Sequence, residues 1–124
     1  MAMELPGGKW QLESYNFRNK MAYPVDLSSV TLNVNAEGKL GGRSGCNIYG
    51  GGYTIEDGVL KIGDVISTMM ACDDMTMQFE RAYFDTLAAV SSFEEVEGRL
   101  TLSNPETLQF LRFTRVKDKD RKDE

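Results

Sequence analysis

The chain has 124 residues and a mass of 13.9 kDa, with 41 % hydrophobic and 27 % charged residues, which suits one domain around one core. A net charge of −5 opposes binding to a nucleic-acid backbone, which needs a positive surface. The absence of histidine removes Ser-His-Asp and Cys-His nucleophiles and the commonest zinc sites, so no catalytic or metal residue and no cofactor is assigned.

Residues 1–8 read as a lead-in to a domain spanning 9–115. The opening MAMELPGGKW has no charged-then-apolar leader pattern, and no apolar run can span a bilayer, so direct membrane insertion is not expected. The compartment is extracytoplasmic if a signal peptide has been trimmed, and cytoplasmic if the chain is complete as written. Trp10, Leu12 and Ser14 alternate with polar residues as in a half-buried strand, with Trp10 placed in the core.

Phe17 to Leu27 has no clean period and reads as a loop, with an extended corner at Tyr23-Pro24. Its Arg18, Lys20 and Met21 could present a rigid protease-inhibitor loop. Val30, Leu32 and Val34 then alternate with Thr31 and Asn33 as a strand. Three acidic-glycine pairs, Glu37-Gly38, Asp57-Gly58 and Glu97-Gly98, mark tight reversals. They return Val34 through Leu40, Tyr53-Ile55 through Leu60-Ile62, and Phe93-Val96 through Leu100-Leu102.

The stretch GGRSGCNIYGGGY, Gly41 to Tyr53, packs six glycines and one of the two cysteines into thirteen residues. A P-loop places lysine and a hydroxyl after its last glycine, but Gly51 and Gly52 stand there. A dinucleotide fingerprint fails on spacing and on its flanks. The glycines read instead as bends that let a sheet curl. Asn47 is expected to bond nearby backbone, and at least one ring of Tyr49 and Tyr53 to lie inward.

Cys46 and Cys72 are too far apart for a C-x-x-C redox pair, and Asp73 and Asp74 disfavour a thiolate at Cys72 while the helix start favours one. One structural reading joins them in a disulfide closing a loop of about 27 residues; the other leaves two small buried side chains in a reducing compartment. Thr68, Met69, Met70 and Ala71 read as core beneath the helix rather than as a ligand pocket. Acidic residues at Glu56, Asp57, Glu94, Glu95 and Glu97 sit beside turns and read as solvated rather than as a glycosidase dyad.

From Asp74 to Val90, Met75, Phe79, Tyr83 and Leu87 recur at four-residue steps, the stripe of an amphipathic helix capped by Asp73 or Asp74. Leu108 to Thr114 forms a last strand with Leu108, Phe110 and Arg112 on one side and Leu111 and Phe113 on the other, so it is central or touches the helix. Residues 116–124, containing KDKDRKDE, form a charged, disordered tail. The fold class is α+β, mostly β: a strongly curved antiparallel sheet of about six to eight strands, partly open and barrel-like, with one helix packed on it.

The motif Gly45, Cys46, Asn47, Tyr49, Gly50, Gly51, Tyr53, followed by Thr68, Met69, Met70, Ala71, Cys72, resembles the paired motifs of the META domain family. Trp10-x-Leu12, Glu80, Phe84, Leu87, Leu100-x-Leu102 and Phe113-x-Arg115 agree. The resemblance includes the HslJ-like heat-shock lipoproteins and implies a curved sheet with one helix and, in many members, a disulfide between the motif cysteines. It implies association with stress response and the cell envelope, without a defined biochemical activity. The reading that results is a non-enzymatic accessory domain, a monomer with a protein partner. A small protease inhibitor and an apolar-ligand binder inside a partly open barrel are the alternatives.

Overall fold

A computed structural model describes residues 5–35 and 37–116. Nine strands and one α-helix follow in order among the described residues: β1 Gly8–Asn16, β2 Thr31–Val34, β3 Lys39–Arg43, β4 Ile48–Glu56, β5 Val59–Ile62, β6 Ile66–Ser67, α1 Asp74–Ala89, β7 Ser92–Val96, β8 Arg99–Asn104 and β9 Gln109–Arg115. The strand order is β5-β4-β3-β2-β1-β9-β8-β7, all antiparallel, with β6 pairing on β4. The two-residue β6 is the ninth strand, too short to show an alternation in the sequence.

The expected hairpins form in register: Val34 opposite Leu40, Ile55 opposite Leu60, and Phe93 opposite Leu102. At two of the turns both central residues take positive φ, Asp57 with Gly58 and Glu97 with Gly98, which is the type I′ geometry that matches strand twist. The sheet curls until its ends meet. The Leu60 N–H donates to the Ser91 carbonyl at 2.9 Å, so β5 and the lead into β7 form a nearly closed seam. A bulge between Leu12 and Ser14, where β1 lies against β9, adds to the bend.

Inward side chains fill the space the sheet encloses. Trp10, Leu12, Leu32, Leu100, Leu102, Leu111 and Phe113 are buried with Phe79, Tyr83 and Leu87 of the helix. Arg115 lies over the Trp10 ring, 4.3 Å from its centroid, and its guanidinium donates to the Gly7 carbonyl. The lead-in is thus part of the body from Leu5 onward: Leu5 is buried and its N–H donates to the Tyr53 hydroxyl. Val116, expected in the tail, donates to the Lys9 carbonyl. The remaining tail residues, 117–124, lie outside the described residues.

Helix α1 begins at Asp73, whose carboxylate accepts from the Thr76 N–H and hydroxyl, and ends where Asn104 of β8 donates to the Ala89 carbonyl. Its buried face is Phe79, Glu80, Tyr83, Thr86 and Leu87; Met75, expected on the stripe, is exposed because it lies in the first turn, before the helix reaches the sheet. In β9 the inward set is Gln109, Leu111 and Phe113, while Leu108 is exposed at a positive-φ turn position. The strand is central, between β1 and β8, and its outward face is half covered.

Candidate functional site

Glycine-rich Gly41 to Tyr53 is two paired strands and not only a bend. β3 and β4 run antiparallel through it, and residues 44–47 make the connection, closed by the Ser44 N–H donating to the Asn47 carbonyl. Gly42 has a φ of 156°, and a Cβ there would collide with the Thr31 carbonyl.

Beneath this connection sits a carboxylate that the helix pattern hides among apolar residues. Glu80 is only 5 % exposed. Its Oε2 accepts from the Ser44 hydroxyl at 2.8 Å, the Cys46 N–H at 3.0 Å and the Asn47 N–H at 2.7 Å, and its Oε1 accepts from the Asn47 amide at 2.8 Å. Burial pushes its carboxyl pKa up. The Asn47 N–H, the Ser44 hydroxyl, the Asn47 amide and the Cys46 N–H outweigh that burial and hold it below the usual carboxylate range. Glu80 is therefore an anion serving as a structural acceptor, with both oxygens occupied.

Asn47 carries the linkage onward. Its Oδ1 accepts from the Met70 N–H at 2.8 Å and the Thr68 hydroxyl at 2.9 Å, and the Thr68 hydroxyl oxygen accepts from the Ile48 N–H. The expectation of local backbone bonding at Asn47 is thus corrected: its partners lie more than twenty residues away, on the segment entering the helix and on the helix itself. Cys46 and Cys72, with Cα atoms 6.5 Å apart, are joined by a disulfide that pins the same two segments. Tyr49 adds a further tie: it donates to the Thr31 carbonyl and accepts from Tyr83 at 2.7 Å. Burial pushes both phenols above the ordinary tyrosine range. Tyr49 and Tyr53 both lie inward.

The segment these ties hold, Thr68 to Ala71, does not fill the core as expected. Asn47 draws in its backbone and hydroxyl, which turns the methionines outward: Met69 is 91 % exposed and Met70 52 %. Ile66, at 78 %, and Ile48, at 54 %, lie beside them on β6 and β4. A groove of about 170 Å³ runs along the methionines and is lined also by Met77, Arg81 and Phe84 of the helix.

The loop of the alternative protease-inhibitor reading is elsewhere. Phe17 and Tyr23 anchor it in an aromatic cluster with Tyr15 and Phe79, and Tyr15 accepts from the Tyr23 N–H. Arg18, Lys20 and Met21 are exposed, but Lys20 has a φ of 61° inside a turn closed by its N–H to the Phe17 carbonyl. Lys20 therefore holds a left-handed turn position rather than extended backbone. The acidic residues Glu94 and Glu97 line an open outer groove with Glu13, Arg99 and Arg112, where Arg99 is paired to Glu13.

Among the described residues no three metal-ligating side chains converge, and no helix is long and apolar enough to cross a membrane. A small, nearly closed antiparallel sheet held to one helix defines the class. The META domain model matches residues 3–117, and the chain belongs to that family. It is similar to a protein from Burkholderia xenovorans solved by NMR, with 26 % identity over 90 % of this chain and 83 % of that one and a TM-score of 0.73. A DUF4847 family protein from Bacteroides vulgatus shares the fold at 13 % identity, with a TM-score of 0.61 over 90 % of this chain and 94 % of that one. No curated protein sequence matches the chain.

Proposed function

We propose that this is a non-enzymatic accessory domain of a stress-response or cell-envelope system, acting by binding another protein through the surface around the motif cysteines. The observation that carries the reading is the exposure of Met69, Met70, Ile66 and Ile48 on a segment fixed by the disulfide and by the Asn47 and Glu80 hydrogen bonds. Methionine is an adaptable contact side chain, and fixing the backbone beneath it lowers the ordering cost of association. An apolar ligand inside the sheet is not supported, because the interior is filled by Trp10, Phe79, Tyr83 and the leucines.

The test is complementation of a deletion strain under heat or envelope stress. Met69→Asp with Met70→Asp should fold with the wild-type melting temperature and fail to complement. Full complementation by that variant, or turnover abolished by changing a defined acidic pair, would overturn the reading.

A further inference from the structure

Not all glycines of the sheet serve the backbone. At Gly41 an added Cβ would fall 2.7 Å from the Tyr49 carbonyl oxygen, and at Gly51 2.9 Å from that of Asp64, so the fold demands glycine at both. Gly50, Gly52 and Gly63 are different. None has a positive φ, and a Cβ would approach nothing nearer than 3.7, 3.5 and 3.7 Å respectively. Glycine weakens a strand, so Gly50 and Gly52 within β4 are unexplained by the fold, Gly63 lies against Gly52 just past the end of β5, and close approach of a ligand or second backbone is the usual reason for a strand glycine.

These three face the same way. Tyr49, Tyr53 and Ile55 point inward along β4, so Gly50, Gly52 and Thr54 point outward. Directly opposite them stand Gly41 and Ile66 beside Gly50, Lys39 and Gly63 beside Gly52, and Lys61 beside Thr54. The outer face is therefore a strip of bare peptide planes. At one end lies a groove of about 470 Å³ floored by Gly52, Gly38 and Gly63 and walled by Lys39 and Lys61, with Glu37 on its rim. At the other end Ile48 and Ile66 are exposed. Neither lysine has a carboxylate partner among the described residues.

We infer that this strip is a binding trough for an extended segment of a partner protein, carrying acidic residues that meet Lys39 and Lys61 and apolar residues that cross the glycines onto Ile48 and Ile66. Charge complementarity selects the acidic end. The bare floor admits a backbone at van der Waals distance, which a surface covered by side chains would not. Two lysines, Lys39 and Lys61, fall short of the cluster of about four to eight basic residues that holds a protein on an anionic bilayer. The inference rests on the protein-binding reading above and names the chemistry of the partner.

Titration of the labelled domain with the synthetic peptide Glu-Glu-Gly-Leu-Gly-Leu, followed by amide NMR, tests it. Shifts should centre on Gly50, Gly52 and Gly63. Gly50→Ser with Gly52→Ser should keep or raise the melting temperature and weaken binding by about tenfold or more, equivalent to about 1.4 kcal/mol. Lys39→Glu with Lys61→Glu should weaken it and reverse the preference toward a Lys-Lys-Gly-Leu-Gly-Leu control. Any of these results would overturn the trough: no shifts at millimolar peptide, equal binding of the lysine control, serine variants that lose stability, or association only with phosphatidylglycerol vesicles. Shifts confined to Met69 and Met70 would also overturn it, while leaving the protein-binding reading intact.

Discussion

Glu80→Gln isolates the contribution of the buried anion at nearly constant volume. The amide oxygen can replace Oε2 as acceptor for Ser44, Cys46 and Asn47, but those three bonds lose their charge assistance. The amide nitrogen then replaces Oε1 and faces the Asn47 Nδ2 donor. Rotating Asn47 gives no relief, because its Oδ1 is needed by Met70 and Thr68. Weakening three bonds costs about 2 kcal/mol and the donor-donor contact about 1 kcal/mol more, so a loss of roughly 3 kcal/mol is expected. In a domain of this size that lowers the melting temperature by about 10–15 °C. Asn47→Asp alone should also destabilise, by placing two carboxylates in contact. Together the two substitutions reverse the polarity of the contact and restore it, so urea denaturation of the four proteins should give a coupling energy of about 2 kcal/mol. A Glu80→Gln loss below about 0.5 kcal/mol, or strict additivity of the pair, would refute the assignment of Glu80 as the central acceptor.

Because the folded-state pKa of Glu80 is depressed, its stabilisation is complete above the unfolded carboxyl pKa of about 4.3 and is lost as pH falls through the lower folded value. Wild-type stability should therefore fall more steeply than that of Glu80→Gln across that acid range. Reduction of the Cys46–Cys72 disulfide, which spans a sequence separation of 26, should cost about 3.5 kcal/mol in the chain-entropy model, measured by denaturation with and without dithiothreitol. Denatured protein that has never met reductant should show no titratable thiol. Tyr49→Phe leaves both the Thr31 carbonyl and the Tyr83 hydroxyl without a partner, whereas Tyr83→Phe only removes a donor from Tyr49, so the former should be worse by about 1 kcal/mol. In an alkaline difference-absorbance titration, Tyr49 and Tyr83 should stay protonated beyond the ordinary tyrosine range until the protein unfolds.

The hairpins were legible because acidic-glycine turns and two-residue alternation act locally: Asp57-Gly58 specifies positive φ whatever surrounds it. Helix α1 was legible from its stripe and its Asp73 cap to within a residue. What escaped is nonlocal. Met69 and Met70 carry the composition of a core, and only the capture of their backbone by Asn47 turns them outward. Glu80 did leave a trace: a carboxylate at the 80, 83, 87 positions of an otherwise apolar face must find donors once buried. Its partners lie in residues 44–47, a loop whose sequence gives no sign of a helix above it. The run of β3 past Leu40 was obscured by its own glycines, and the distinction between Gly51, which the fold requires, and Gly52, which it does not, depends on neighbours in space.

The strand order places β1 against β9 in the middle of the sheet, while the seam at the sheet's ends is closed by residues from the interior of the chain. This interior pairing therefore joins the first and last strands of the domain, the two farthest apart in sequence. Until β9 emerges, Trp10 and Leu12 have a partner on one side only, through β2, and half of the core has no wall. Closure of the core thus waits on β9, whereas β1 to β5 pair each with its neighbour in sequence. The same topology brings Gly7 and Arg115 into contact. A short linker there, with new ends opened at the Asp57-Gly58 turn, would convert the slow long-range pairing into a local hairpin and should speed folding while leaving the native contacts in place.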